Sequence, residues 1–135
     1  MYQDELEIRV RYSETDKMGY VYYGNYAAYL EVGRVELLRK LGLSYKQMED
    51  DGIMLPVADY HIRYLKPAYY DDLLTVRTII KKKPVTKIEF EYEMYNQDGV
   101  LLNKAEVVLV FVDIQSGRPC RAPEDFLEKV SPYFD

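Results

Sequence analysis

The sequence predicts an α+β protein in which an antiparallel sheet of about five strands wraps around one long central helix. Two patterns predict this fold. Apolar residues three and four positions apart mark one long helix near the N-terminus, and short alternating segments separated by turn residues fill most of the remaining chain. Strands joined by such short turns are antiparallel. The length of 135 residues suits one domain, so we predict a single domain over residues 1–135.

The first elements are a strand and the long helix. Apolar and charged residues alternate over residues 6–12, which is typical of a half-buried strand, and turn-forming residues follow at 13–16. The helix is expected over about residues 25–41, because Gly42 stands where a glycine commonly ends a helix. Gly33 near the middle of this helix indicates that another element packs closely against it.

The remaining chain is predicted to be mostly strand. A short second helix begins after Ser44, which forms a capping box with Gln47. Four strands and a short final helix follow, at about residues 53–65, 73–83, 87–94, 100–113 and 123–130. One helix cannot cover a sheet of this size, and open sheet edges pair readily with other chains. We therefore predict a symmetric assembly, a homodimer or homotetramer.

Composition argues against several classes of protein. The chain has one cysteine and one histidine, which excludes a disulfide framework and a multi-cysteine or histidine-rich metal site within one chain. A net charge of −5 argues against general nucleic-acid binding, which needs a basic surface. No apolar run approaches the roughly 18 residues of a membrane span. The acidic N-terminus is unlike a signal peptide, so a cytoplasmic location is expected.

Tyrosine is concentrated in the segment that joins the first strand to the long helix. Six of the 15 tyrosines lie between Tyr12 and Tyr29. A loop that enters a helix offers unpaired N–H groups and the positive end of the helix dipole, which stabilise a carbonyl oxygen gaining charge. Asp16 in this loop would complete a minimal acyl-transfer site. The alternative is that Asp16 only accepts hydrogen bonds within its own turn, and that the tyrosines are ordinary core.

The pattern Arg-Tyr-x-Glu-Thr-Asp-x-x-Gly-x-Val-Tyr-Tyr-x-x-Tyr at residues 11–26 resembles the signature of hotdog-fold acyl-CoA thioesterases, specifically the 4-hydroxybenzoyl-CoA thioesterase branch. Weaker similarities extend the resemblance over residues 6–123. They include Glu31, Arg34, residues 64–68, Asp71, Asp72 and residues 117–119. The resemblance implies a cytoplasmic enzyme that hydrolyses acyl-CoA thioesters. It needs no metal and no cofactor beyond the coenzyme A of its substrate, and its active sites lie at a dimer interface.

The resemblance also implies catalytic roles for three residues. Asp16 matches the catalytic aspartate of the family, which acts as nucleophile on the thioester or as base for water. Tyr23 matches the position whose backbone N–H polarises the thioester carbonyl. Many relatives have histidine there, so only the backbone role transfers to Tyr23. Gly24 offers a neighbouring N–H group.

Substrate binding requires an apolar slot for the acyl group and positive charge for the coenzyme A phosphates. The tyrosines near the motif are candidate walls of the slot: Tyr20, Tyr22, Tyr26 and Tyr29. The only dense cluster of positive charge is formed by Lys81, Lys82, Lys83 and Lys87. This cluster could equally be a solvated hairpin tip that guards a strand edge. Arg63 and Lys66 are weaker candidates.

Two further acyl-binding functions stay open, a non-catalytic acyl-CoA-binding module and an acyl-carrier-protein thioesterase; the presence of Asp16 favours an enzyme. Glu31 is a possible catalytic residue, since some hotdog thioesterases use a helix glutamate, but its spacing to Arg34 favours an ion pair within the helix. His61 and Cys120 are expected to be structural.

Overall fold

In the computed structural model, which describes residues 1–134, the chain forms seven strands and three helices. The strands are β1 (Tyr2–Arg9), β2 (Ile53–Met54), β3 (Val57–Tyr64), β4 (Leu73–Ile80), β5 (Lys87–Tyr95), β6 (Leu101–Val110) and β7 (Val112–Asp113). The helices are α1 (Gly24–Lys40), α2 (Tyr45–Asp50) and α3 (Glu124–Val130). Single 3₁₀ turns cover Tyr12–Glu14 and Ser131–Tyr133.

Five of the strands form one antiparallel sheet in the order β1-β4-β5-β6-β3, which confirms the predicted sheet. Strand β1 ends at Arg9, earlier than predicted, because the chain turns into the 3₁₀ segment at Tyr12. The predicted strand 53–65 divides at Pro56, and 100–113 divides at Phe111. The short pieces β2 and β7 pair with each other in a second, two-stranded sheet.

The two faces of the sheet differ in polarity. Residues of β4 and β5 alternate strictly, so that Leu74 and Val76 of β4 and Phe90 and Tyr92 of β5 are buried on the inner face. The outer face carries cross-strand ion pairs, in which Arg77 contacts carboxylates of β1 and β5 at 2.8 and 2.9 Å. The hydrophobic core therefore lies on one side of the sheet, between the sheet and the helices.

Helix α1 packs on the inner face, mainly against β1 and β4. A Cβ atom at Gly33 would lie 2.6 Å from Thr78 Oγ1 and 3.1 Å from Val76 Cγ1. The predicted close approach at Gly33 is thus confirmed. Helix α3 covers another part of the core, where Phe126 contacts Phe111 at 5.2 Å between ring centroids. Helices α1 and α3 therefore cover the core together, and the prediction that one long central helix covers it is not confirmed.

Substitution of Gly33 by Val is expected to lower the free energy of unfolding by about 1–3 kcal/mol, because the new methyl groups have no room against β4. Urea unfolding measures this loss. Ala28→Val, on the exposed face of the same helix, is the matched control and should cost only a few tenths of a kcal/mol. Valine has a higher helix propensity than glycine, so a loss at Gly33 cannot come from helix propensity. An unchanged or higher stability of Gly33→Val would contradict the close packing against β4.

Candidate active site

The loop between β1 and α1 is held by backbone hydrogen bonds around Asp16. The Asp16 N–H donates to the Tyr20 carbonyl at 2.7 Å, and the Gly19 N–H donates to the Asp16 carbonyl at 3.0 Å. Gly19 has a φ of 82°, a conformation that glycine adopts without strain. The Val21 N–H then donates to the Ala68 carbonyl at 2.8 Å. The loop is therefore tied both to itself and to the segment that follows β3.

The two carboxylate oxygens of Asp16 have different surroundings. Oδ1 accepts hydrogen bonds from the N–H groups of Met18 at 2.9 Å and Tyr20 at 3.2 Å. Oδ2 accepts no hydrogen bond from residues 1–134, and the residue is half-buried. Asp16 thus does stabilise its own turn, as the simpler interpretation holds, while its second oxygen stays available for chemistry.

The start of helix α1 supplies the donors expected beside this carboxylate. The first hydrogen bonds of the helical turn are donated by Asn25 to the Tyr22 carbonyl at 2.8 Å and by Tyr26 to the Tyr23 carbonyl at 3.3 Å. Within the described chain, the N–H groups of Tyr23 and Gly24 donate to no protein acceptor. They are unpaired donors at the positive end of a 17-residue helix.

A groove of about 330 Å³ brings Asp16 and Tyr23 together, while Gly24 is not among its lining residues. The β1–α1 loop and the start of the helix form one side of it, with Asp16, Met18, Tyr20, Val21, Tyr23 and Tyr26. The end of β3 and the next residues form the other side, with Tyr64, Leu65, Lys66 and Pro67. The volume is at the lower end of the roughly 300–1,000 Å³ of small-molecule sites. A carboxylate, a helix start and aromatic walls therefore share one cavity.

The structure separates the predicted wall tyrosines into three kinds. Tyr20 and Tyr26 line the groove as predicted, and the Tyr26 hydroxyl accepts a hydrogen bond from the buried Ala68 N–H at 3.2 Å. Tyr22 does not line it, because its ring packs over Gly24 and against Tyr23 outside the groove. Tyr29 is buried below the loop. For the opposite wall at Tyr64, the weak similarity of residues 64–68 is the one signal in the sequence.

Glu14 connects the loop to the helix, a role that sequence reasoning missed. Its Oε1 accepts hydrogen bonds from the Arg11 N–H at 2.8 Å and the Tyr29 hydroxyl at 2.9 Å. Its carbonyl accepts from the Tyr22 N–H at 2.9 Å and the Asn25 side chain at 2.8 Å. Burial alone would raise the Glu14 pKa, but the hydrogen bonds outweigh it and hold the pKa below its usual value. The spacing of Arg11 and Glu14, that of a capping box, was the available signal.

The predicted lysine cluster is largely neutralised by glutamates of β5. Lys81 contacts Glu91 at 3.2 Å, and Lys82 and Lys87 contact Glu89 at 3.6 and 3.7 Å. Such exposed pairs are individually weak. They nevertheless reduce the net positive charge that this cluster presents.

The lysine cluster also lies far from Asp16 within one chain. Strands β1 and β4 pair with Arg9 opposite Leu73 and Tyr2 opposite Ile80. The Asp16 loop follows Arg9, whereas the lysines follow Ile80, seven residue steps and about 23 Å away along β4. The structure therefore does not bring the lysines to the groove of the same chain. Lys66, the weaker candidate, does line it.

The predicted ion pair between Glu31 and Arg34 is wrong. Arg34 is buried beside Tyr45 and Tyr92, while Glu31 is exposed, and no ion pair joins Glu31 to Arg34.

His61 lies on β3 opposite Glu106 and away from the groove. Among residues 1–134, no group of three His, Cys, Asp or Glu side chains is placed to hold a metal ion, and no helix is long and apolar enough to cross a membrane.

Comparisons with known proteins identify the family of this chain. Residues 10–130 match the model of the thioesterase-like superfamily. The chain is 40% identical over 126 residues to the putative acyl-CoA thioesterase YneP of Bacillus subtilis, covering 93% of this chain and 91% of that protein. It is 32% identical over 120 residues to the acyl-CoA thioester hydrolase YbgC of Escherichia coli, covering 89% and 90%.

Solved structures give the same result. The crystal structure of the DHNA-CoA thioesterase from Staphylococcus aureus superposes with a TM-score of 0.93 at 35% identity, covering 98% of this chain and 91% of that one. The structure of protein TT1821 from Thermus thermophilus superposes with a TM-score of 0.90 at 32% identity, covering 99% of both chains. Fold, motif and sequence similarity agree over nearly the whole chain, which therefore belongs to the thioesterase-like superfamily of hotdog proteins.

Proposed function

We propose that this chain hydrolyses acyl-CoA thioesters in the groove between Asp16 and the start of helix α1. The names of its relatives support the activity. The observation that supports the site is that the Asp16 carboxylate shares one groove with the beginning of helix α1, where the N–H groups of Tyr23 and Gly24 are unpaired. The donors would stabilise negative charge on the thioester oxygen, and the carboxylate would activate the attacking group.

The reaction needs few protein groups because a thioester is already activated. With the carbonyl oxygen held by the N–H groups of Tyr23 and Gly24, Asp16 Oδ2 accepts a proton from water as the water oxygen attacks the carbonyl carbon. The C–S bond then breaks, and the coenzyme A thiolate takes the proton to leave as a thiol. Direct attack by Asp16, followed by hydrolysis of the anhydride, uses the same carboxylate and gives the same products.

We also propose that a second copy of the chain completes the site, in a cytoplasmic homodimer or homotetramer. Strand β3 is an edge strand. It exposes Val57, Tyr60 and Tyr64, and Leu65 beyond it is also exposed. An edge strand with exposed apolar side chains favours pairing with another chain. Pairing there would cover the open side of the groove, where Tyr64 forms a wall.

Release of thiol by the purified protein tests the proposed function. The substrates are short, long and aromatic acyl-CoA thioesters, and the same acyl groups on acyl carrier protein test the related alternative. Hydrolysis of at least one acyl-CoA is expected. Tight binding of acyl-CoA by calorimetry with no thiol released from any substrate would favour the non-catalytic binding module instead.

Lys66 is the cation best placed for the coenzyme A phosphates, since it lines the groove. We expect Lys66→Gln to raise KM about two- to fivefold with little change in kcat, as for loss of one exposed charge pair. The comparison is a triple variant, Lys81→Gln with Lys82→Gln and Lys83→Gln. A higher KM for the triple variant and an unchanged KM for Lys66→Gln would contradict this role of Lys66. Since the lysine cluster lies too far from the groove of its own chain, that result would mean that the phosphates contact the cluster of a neighbouring copy.

A further inference from the structure

Arg34 is a buried charge without a counterion. Its side chain is 9% exposed, and it forms no ion pair with any carboxylate of residues 1–134. Among residues 1–134, Arg34 Nε and the neighbouring hydroxyls of Tyr45 and Tyr92 have no partner that meets strict hydrogen-bond geometry, although both phenol oxygens lie close to the guanidinium. A guanidinium that leaves water without a partner is costly, so an unpaired buried arginine points to a group that the chain alone does not contain.

The surroundings of Arg34 can donate several hydrogen bonds. Burial raises the pKa of Tyr45 to about 12 and raises that of Tyr92 as well, although the Arg34 charge opposes both shifts. Both phenols therefore stay protonated at neutral pH. The two phenol oxygens can accept hydrogen bonds from the guanidinium, but neither carries the negative charge that would match it.

Arg34 borders a small cavity between α1 and the sheet. The cavity has a volume of about 50 Å³ and is lined by Ala27, Leu30, Arg34, Val57, Tyr60 and Val107. A water molecule occupies roughly 30 Å³ of liquid, so the cavity has room for one small polar group. Apart from Arg34 and the Tyr60 hydroxyl, its lining side chains are apolar.

This cavity and the active-site groove share no lining residue, but both lie along helix α1 and strand β3. Tyr64 of the groove and Tyr60 of the cavity lie on the same face of β3, four residues apart. On α1, Tyr26 lines the groove and Leu30 lines the cavity one turn later. Arg34 follows Gly24 by ten residues, or about 15 Å along the helix, and helical side chains lean towards the N-terminus. An acyl chain that starts at Gly24 and follows the seam between α1 and β3 would approach the guanidinium.

We propose that Arg34 binds a carboxylate at the far end of the acyl group, so that the preferred substrates are coenzyme A thioesters of dicarboxylic acids. This inference rests on the proposed function and adds a substrate class to it. A carboxylate matches the fork of donors on a guanidinium and supplies the missing negative charge. A plain alkyl chain would fill the slot but leave the Arg34 Nε–H unpaired.

Matched pairs of substrates test this inference in the wild-type protein. The pairs are hexanoyl-CoA with adipyl-CoA, octanoyl-CoA with suberyl-CoA, and decanoyl-CoA with sebacyl-CoA, in which the second member carries the terminal carboxylate. For the pair of best length, kcat/KM should be at least about tenfold higher for the carboxylate member, the value of one charge-assisted hydrogen bond. Equal or lower kcat/KM for the carboxylate member at every length would overturn the inference while leaving the proposed function intact.

Variants assign the preference to Arg34. Arg34→Met removes the charge at similar volume and should abolish the preference while retaining hydrolysis of the alkyl member. Arg34→Lys should retain part of the preference for the carboxylate substrate. This variant replaces Arg34→Met in the test if the Met variant does not fold. Arg39→Met, at the exposed end of the same helix, is the matched control and should keep the preference in full. A preference that survives in the folded Arg34 variants would overturn the assignment.

Binding separates this inference from the proposed function. Calorimetry with the Asp16→Asn variant compares the affinity for suberyl-CoA and octanoyl-CoA without turnover. Tighter binding of suberyl-CoA that is lost on adding an Arg34 substitution supports the inference even if the wild type hydrolyses neither thioester. Equal affinities for suberyl-CoA and octanoyl-CoA would overturn the inference about Arg34, whereas the proposed function is decided by thiol release from the wider panel of acyl-CoA substrates.

Discussion

Replacement of Asp16 by Asn is expected to lower kcat for acyl-CoA hydrolysis by about 10²–10⁴-fold, the usual contribution of a general base. The amide oxygen of Asn can still accept the hydrogen bonds that Met18 and Tyr20 donate to Oδ1, so the loop should keep its conformation. The amide cannot accept a proton from water or attack the thioester. Since the lost interaction is made mainly in the transition state, KM should change much less than kcat.

The control for this variant is Asp50→Asn, which removes one exposed carboxylate from α2; the one ion pair of Asp50 within residues 1–134 is with Lys46 at 3.6 Å. It should leave kcat and KM unchanged. Circular dichroism and urea unfolding of both variants show whether the fold is retained. A folded Asp16→Asn protein with wild-type kcat would mean that Asp16 only stabilises its turn.

The second large effect is expected at Glu14, a positioning residue that touches no substrate. Glu14→Gln should lower the free energy of unfolding at neutral pH by about 1–3 kcal/mol, because the buried Tyr29 hydroxyl and the Arg11 N–H lose a charged acceptor. Displacement of the loop should also lower kcat about tenfold, since small errors in position reduce catalysis strongly.

The effect of Glu14 on stability should depend on pH. The folded-state pKa of Glu14 lies below its unfolded value of about 4.3. The contribution of Glu14 to the free energy of unfolding is therefore fully present above the unfolded pKa and is lost as the pH falls through the folded pKa. Urea unfolding at about pH 7 and about pH 3 should show a large difference between wild type and Glu14→Gln that shrinks in acid. Glu128→Gln, on the exposed face of α3, is the control. A difference in the free energy of unfolding that does not change with pH would mean that Glu14 stabilises the fold through packing and not through its negative charge.

Much of the fold is readable in the sequence because one face of each strand is buried. The alternation in β4 and β5 sets which side chains enter the core, and the short turns set the antiparallel order. Gly33 predicts that another element packs closely against the helix, but it does not indicate that this element is β4. The end of β1 was less predictable, because Tyr12 fits the alternation but is 77% exposed in a 3₁₀ turn. How far α1 covers the sheet depends on tertiary packing with α2 and α3, which no local pattern encodes.

The candidate site was predictable where it is local and unpredictable where it depends on distant contacts. Asp16, Tyr23 and Gly24 lie in one continuous loop, so the motif places them together. Whether the lysine cluster reaches that loop depends on the register of β1 and β4. The Arg34 side chain could have met Glu31 one turn away, but burial against Tyr45 and Tyr92 decides its position. Contacts of this kind involve residues far apart in the chain.

The most direct test is to measure thiol release side by side for wild type, Asp50→Asn, Glu14→Gln and Asp16→Asn, using the acyl-CoA that the wild type hydrolyses best at saturating concentration. Catalysis by Asp16 at the start of helix α1 predicts equal rates for wild type and Asp50→Asn, a rate about tenfold lower for Glu14→Gln, and the lowest rate for Asp16→Asn. A folded Asp16→Asn protein that releases thiol as fast as the wild type would contradict it.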